Sequence, residues 1–254
     1  MEFSAIDEAY RRRIEVRLDD HVVEAHLEDY LHHFGVRLHH DGVVITAVEL
    51  AAERTPWATC TDGALGARRL VGVALAEVAD LDVWIGSRAD QCVHVTDLVV
   101  IAAGAALRGA DRTYEVLMTG IGHPERTATL HVDGAVWGSW VLEGFGGEIV
   151  DDARSGRFAG GSLERSGFSD LLATLDASDR EPAAVLRRAS MIGLGRAVDA
   201  DSWPDASVGA NPVGSCHTHR PEVVVLATRN RGSQRLTEQD PIGTPVRPVR
   251  EWIR

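Results

Sequence analysis

Cysteine and histidine stand together twice in this chain, at Cys92-Val93-His94 and at Cys216-His217-Thr218-His219, although 254 residues contain only three cysteines. The third, Cys60, closes the segment Arg54-Thr55-Pro56-Trp57-Ala58-Thr59-Cys60. Thiolate and imidazole are soft metal ligands, and together they can form a nucleophile–base pair. A helix beginning near Cys92 would aim its free N–H groups at the thiol or at a bound anion. Asp97, three residues beyond His94, would share its helical face and could orient the imidazole. Cys60, Cys92, His94 and one donor from Cys216, His217 or His219 would complete a four-ligand set for zinc or iron, although no CxxC spacing marks one. The competing reading makes the cysteines small core residues, with Asp97 serving first-turn amides.

Further polar candidates surround these motifs. The doublets His32-His33 and His39-His40 frame a strand, and alternation sends the members of each doublet to opposite faces. With Glu28 and Asp29 just upstream, a carboxylate–histidine acid–base pair is conceivable, His33 and Glu28 being its candidate members. The polar face of an edge strand is the alternative. His217 and His219, at i and i+2, could chelate one metal or flank one substrate. Arg54, Arg196 and Arg229 are candidate clamps for a carboxylate or phenolate. Trp57 is a candidate substrate contact and also a packing residue.

Composition excludes several function classes. A formal charge of −12 disfavours a nucleic-acid partner, since counterion release needs a basic surface. The run Arg11-Arg12-Arg13 lies near Glu8, Asp19 and Asp20 and reads as a solvated strand entrance. All 26 basic residues are arginine. That rules out a Schiff-base lysine, a lysine-anchored pyridoxal cofactor and a P-loop nucleotide site. The Gly193/Gly195 pair is no dinucleotide fingerprint, and neither G-x-S-x-G nor H-E-x-x-H occurs. The longest apolar run, Leu98 to Leu107, is about half the length a membrane span needs. Met1-Glu2-Phe3-Ser4 lacks the features of a signal peptide, and an odd cysteine count argues against a disulfide framework. The expectation is a cytoplasmic protein without a membrane partner and, unless zinc or iron is bound, without a cofactor.

The elements that must position these residues follow from periodicity. Arg13–Leu18, Val22–Glu28, Phe34–Leu38 and Val43–Val48 read as strands, with turns at Asp19-Asp20 and Asp41-Gly42. Ala64–Val71 reads as a short helix stopped by Gly72, and Cys92–Leu107 as a helix apolar almost all round, hence buried. Beyond Arg108-Gly109-Ala110-Asp111, strands are expected at Tyr114–Thr119, Ala128–Val132 and Val136–Leu142, with a turn at Asp133-Gly134. Gly144–Gly167 reads as a polar, mobile loop. Helices follow at Ser169–Leu175 and Glu181–Ile192, with Pro182 in the first turn of the second. Val223–Thr228 reads as a strand and Pro241–Pro248 as an extended tail. The fold class is α+β, with antiparallel sheet and packed helices in two β-rich halves, 1–110 and 111–254. Exposed antiparallel edges are compatible with a homodimer.

These segments resemble a bacterial family known as domain of unknown function 2889. The matching pieces are Arg12-Arg13-Ile14, Leu27-Glu28-Asp29, His33-x-x-Val36 and His40-Asp41-Gly42. To these are added Arg54-x-Pro56-Trp57-x-Thr59-Cys60 and Cys92-x-His94-x-x-Asp97-Leu98, so that the set spans residues 11 to 105. Gly195-Arg196, Cys216 and Arg229-x-x-Gly232-Ser233 resemble later family segments. Thr61 stands where the family commonly has proline, and Val93-His94-Val95 replaces a Thr-His-Leu pattern. The resemblance implies a shared fold and an association between the Pro-Trp/Cys and Cys-x-His segments; it implies no activity. Its members occur in organisms that degrade aromatic or steroid-like compounds.

The leading expectation is an enzyme using non-redox acid–base chemistry on a small molecule, of lyase, hydratase or isomerase type, in the catabolism of aromatic or other carboxylated compounds. His94 would act as base, Asp97 as its orienter, and His33 and Glu28 as partners. One alternative is a zinc- or iron-binding protein, hydrolytic or structural, built on Cys60, Cys92, His94 and Cys216. Another is a non-catalytic binding or subunit-interaction module.

Overall fold

The computed structural model of the chain describes residues 8–80, 88–144, 147–209 and 211–253. Its architecture is α+β with antiparallel strands, in two compact units drawn from interleaved stretches. One unit comprises Ile14–Arg112, Ala200–Arg235 and Val246–Arg254; the other comprises Met1–Arg13, Thr113–Asp199 and Leu236–Pro245. Strand β1 (Glu8–Asp19) lends its second half to the former and its first half to the latter.

In the first of these units the strand order is β4-β3-β2-β1, with β2 Val22–Glu28, β3 His33–His40 and β4 Ile45–Arg54. Alternation buries Val23, Ala25 and Leu27 on β2 and Phe34, Val36 and Leu38 on β3. Helix α1 (Cys60–Leu65) continues into a 3-10 turn, and α2 (Leu75–Ala79) follows. Helix α3 (Val93–Arg108) packs on β2 and β3. Its side chains are buried nearly all round, and Gly109 ends it at φ 67°, the left-handed conformation expected of a C-cap glycine. On β3, Gly35 leaves room for Val249 and Trp252, to which an added Cβ would come within 3.0–3.2 Å. The C-terminal segment is therefore extended but packed: Leu50 and Ile253 exchange backbone hydrogen bonds, and Trp252 lies under Arg37 and beside His26.

In the other unit the order is β1-β5-β6-β7-β8-β9, with β5 Arg112–Ile121, β6 Glu125–Val132 and β7 Ala135–Glu143. A two-residue turn joins β6 to β7, with positive φ at both Asp133 and Gly134, as a type I′ hairpin requires. Within the stretch expected as a loop, residues 147–167 are not open. They contribute β8 (Glu148–Asp152) and β9 (Gly161–Ser162), and they bury Phe158 against Trp140 and Phe168. Helices α4 (Arg165–Ala173) and α5 (Ala177–Ile192) complete this unit. Because α5 starts four residues earlier than periodicity suggests, Pro182 sits inside it rather than in its first turn.

Two other expectations are corrected. Arg11, Arg12 and Arg13 are buried, not solvated; Arg11 lies 3.3 Å from Glu115 and Arg13 2.8 Å from Asp240, carboxylates more than a hundred residues away. Val223–Thr228 forms successive turns rather than a strand, with Val223 and Val224 N–H both donating to Arg220 O, and it leaves Val225 and Leu226 exposed. A β-branched run becomes a ladder only beside a partner strand. Here Thr228 and Arg229 make only isolated bridges, to Asp205 and Trp57.

Candidate functional site

The turn from β2 to β3 carries the first two site residues. Asp29 Oδ1 accepts hydrogen bonds from Leu31 N and His32 N, both at 2.9 Å, and lies 2.9 Å from His32 Nδ1. A short polar side chain closing its own turn in this way is a familiar use of aspartate. The carbonyls of the turn are held by Arg54, which donates to Tyr30 O at 2.7 Å, Asp29 O at 2.8 Å and His32 O at 3.3 Å. Arg54 also reaches Ser233 O and Glu28 Oε1, so its guanidinium is directed at the protein's own turn.

The third residue comes from α3. His94, in the first turn of the helix, stacks its ring on that of His32 with centroids 3.9 Å apart and planes at 28°. Phe34 extends the stack, 6.0 Å from His94. Asp29, His32 and His94 are 0%, 6% and 8% exposed, and one donor atom from each lies within 4.8 Å of the others. Nδ1–H of His32 facing a carboxylate fixes the tautomer that leaves Nε2 as a base or ligand.

A thiol cluster adjoins this histidine pair. Cys92 is the N-cap of α3, and its Sγ lies 3.8 Å from His94 Nδ1. Cys92 N donates to Gly63 O of α1, and His217 N donates to Gln91 O, which draws the 3-10 turn His217–His219 onto the start of α3. Cys60, at the start of α1, lies 3.7 Å from Thr218 Oγ1. Burial pushes the Cys60 thiol up to about 12, with the neighbouring Cys216 adding to it; burial raises Cys92 further, helped by Cys60 and Cys216. Both therefore remain thiols at neutral pH unless a metal or another cation displaces the proton.

Glu28, fully buried at the end of β2, lies 2.7 Å from Arg247, 2.9 Å from Arg235 and 3.2 Å from Arg54. Burial alone would raise its carboxyl, but the Arg247 hydrogen bond and the charges of His33, Arg235 and Arg247 prevail and hold it at about 2. His33 is lowered by its burial against the opposing pull of Glu28, and its Nε2 lies 2.8 Å from Arg247 O.

The structure thus brings Cys60, Cys92, His94, Cys216 and the His217–His219 turn into one neighbourhood of one unit. Asp97 lies half-buried on the same first stretch of α3. Trp57 stacks at 6.4 Å on Trp203 and carries Arg229 over its ring, while Arg229 itself binds Asp201 at 2.8 Å and Pro56 O. Arg196 belongs to the other unit, 3.4 Å from Glu238. The doublet His39-His40 stands apart from the cluster, His39 beside Glu49 and His40 beside His21. Beside the candidates the sequence offers for His94, Asp97 as orienter with His33 and Glu28 as partners, the structure sets the hydrogen-bonded pair Asp29–His32 in contact with His94. The i, i+3 spacing of these two across a tight turn was the available signal. Arg235 and Arg247 had none, being hundreds of residues from Glu28 and unmarked by any pattern.

No curated protein and no solved structure matches the chain. Residues 5–108, the stretch that supplies Asp29, His32, Cys60, Cys92 and His94, match the model of a family described as a protein of unknown function (DUF2889).

Proposed function

We propose that the Asp29–His32–His94 cluster is the reaction centre of an enzyme carrying out non-redox acid–base chemistry on a small organic molecule, of the lyase, hydratase or isomerase type. The observation that carries this reading is the Asp29 carboxylate 2.9 Å from His32 Nδ1, with the His94 ring stacked on the same imidazole. A carboxylate behind an imidazole orients the ring and stabilises the imidazolium that forms when Nε2 takes a proton. The stacked His94 ring sets a second imidazole beside the first, so that one can serve as acid while the other serves as base. The absence of lysine and of nucleotide and nucleophile-elbow motifs supports acid–base work over group transfer. Buried thiols held in the protonated form argue against a cysteine nucleophile.

A panel of carboxylated aromatic and aliphatic compounds, assayed for water addition, elimination or isomerisation, tests the proposal. Turnover by the wild-type protein should fall by at least about 100-fold in His94→Ala and in His32→Gln, as loss of a proton-transfer group does. Circular dichroism should show both variants folded. Undiminished turnover in His94→Ala would sink the assignment.

A further inference from the structure

We infer that Asp29, His32 and His94 together form a binding site for one divalent first-row transition-metal ion. Two imidazoles and a carboxylate from a single unit meet in the buried space between the β2–β3 turn and the start of α3, with donor atoms mutually within 4.8 Å. Donors about 2.0–2.2 Å from a tetrahedral ion stand about 3.4 Å apart, which the 4.8 Å limit on one donor atom from each residue accommodates. The scaffold is already fixed: Asp29 by two turn amides, the turn by Arg54, and His94 by the helix. A hydrogen bond between Asp29 and His32 needs no second imidazole. His94 adds a second imidazole to that buried pair, which gives the set the two nitrogens and one carboxylate of a three-ligand metal centre.

The donor set selects the class of ion. Nitrogen and carboxylate oxygen suit zinc, iron(II), cobalt(II) or manganese; magnesium and calcium want oxygen alone, and copper(I) wants sulfur. Three protein ligands leave a position for water, as in catalytic rather than structural sites. Cys92 Sγ, 3.8 Å from His94 Nδ1, lies beside the set. An ion held by both imidazoles would occupy the nitrogens that the acid–base reading uses, and its acidified water would then be the base. That chemistry rests on this cluster being the reaction centre, whereas binding rests on the geometry alone.

Cobalt(II) titration of the full-length protein, followed by visible absorption and by metal analysis, tests the site. One equivalent should bind with d–d bands but without a thiolate charge-transfer band. Asp29→Asn and His94→Gln should each weaken binding by more than about 100-fold, beyond what loss of a mere orienting partner does. Cys60→Ser and Cys216→Ser should bind as the wild type does. No binding by folded wild-type protein would overturn the inference. So would a thiolate band that Cys92→Ser abolishes while Asp29→Asn keeps it, because the ion would then sit on the cysteines. Turnover that depends on His94 in folded protein that takes up no cobalt(II) defeats the metal site and leaves the acid–base reading standing. Stoichiometric metal without turnover of any compound does the reverse.

Discussion

Glu28 shows how single residues of this site are tied to the rest of the chain. A carboxylate at 0% exposure survives as an ion because three guanidiniums lie within 3.2 Å of it. Its folded value of about 2 is below the ordinary 4.5, so ionised Glu28 contributes stability that is fully present above 4.5 and is lost as pH falls through about 2. Urea denaturation followed across that window should show wild-type stability dropping with falling pH, and Glu28→Gln should flatten the slope. An unchanged slope would mean that the three arginines do not hold this charge. The thiols behave in the opposite sense. Cys60 and Cys92 are buried and protonated at neutral pH, whereas Cys216 is half-buried. Alkylation of native protein, read by peptide mass spectrometry, should therefore label Cys216 first; earlier labelling of Cys92 would contradict the burial described.

At the scale of elements, the site depends on how closely α1, α3 and the His217–His219 turn approach. Gly63 permits that approach, since a Cβ there would come 2.8 Å from His217 Cβ and 3.3 Å from Cys92 N. Gly63→Ala should cost about 1–3 kcal/mol, the usual range for overpacking, and should raise the alkylation rate of Cys60 as the turn is pushed away. Thermal denaturation and the same labelling experiment check both. Helix α3 was legible because a long apolar run beginning at Cys-x-His and ending at Gly109 admits few other structures. Strands β2 and β6 and the Asp133-Gly134 hairpin were legible for similar local reasons. Strands β8 and β9 were not: the glycines around them read as loop, and Phe158 between them, buried beside Trp140 and Phe168, gives the segment its core. The buried Arg11–Arg13 run was illegible because its carboxylate partners, Glu115 and Asp240, are remote in sequence.

At the scale of the whole molecule, the proposed centre lies within one unit, whose strands, helices and closing segments come from three separate stretches of chain. The Cys60, Cys92 and His94 motifs could be read in advance because each is local. Which carboxylate and which second histidine join His94 depended on the register of β2 against β3, where Glu28 opposes His33 and leaves Asp29 and His32 to form the turn. The same dependence on distant sequence gives a prediction for residues 246–254. Deleting them removes Arg247 from Glu28 and Ile253 from Leu50. The truncated chain should melt at lower temperature and bind cobalt(II) more weakly, because the turn bearing Asp29 and His32 then loses part of its support. Equal metal affinity in a truncated, folded protein would refute that link.

The bond from Arg247 to Glu28 spans 219 positions of sequence. Contacts so far apart form late in folding, after the loop between them has been closed at an entropic cost. Helix α3 and the β2–β3 hairpin can form early from local information, but the turn that carries Asp29 and His32 gains its full support only when Arg247 reaches Glu28. In a refolding experiment, Trp252 fluorescence should therefore reach its native value after helical ellipticity does, and the ability to hold a metal ion should keep time with the tryptophan rather than with the helix.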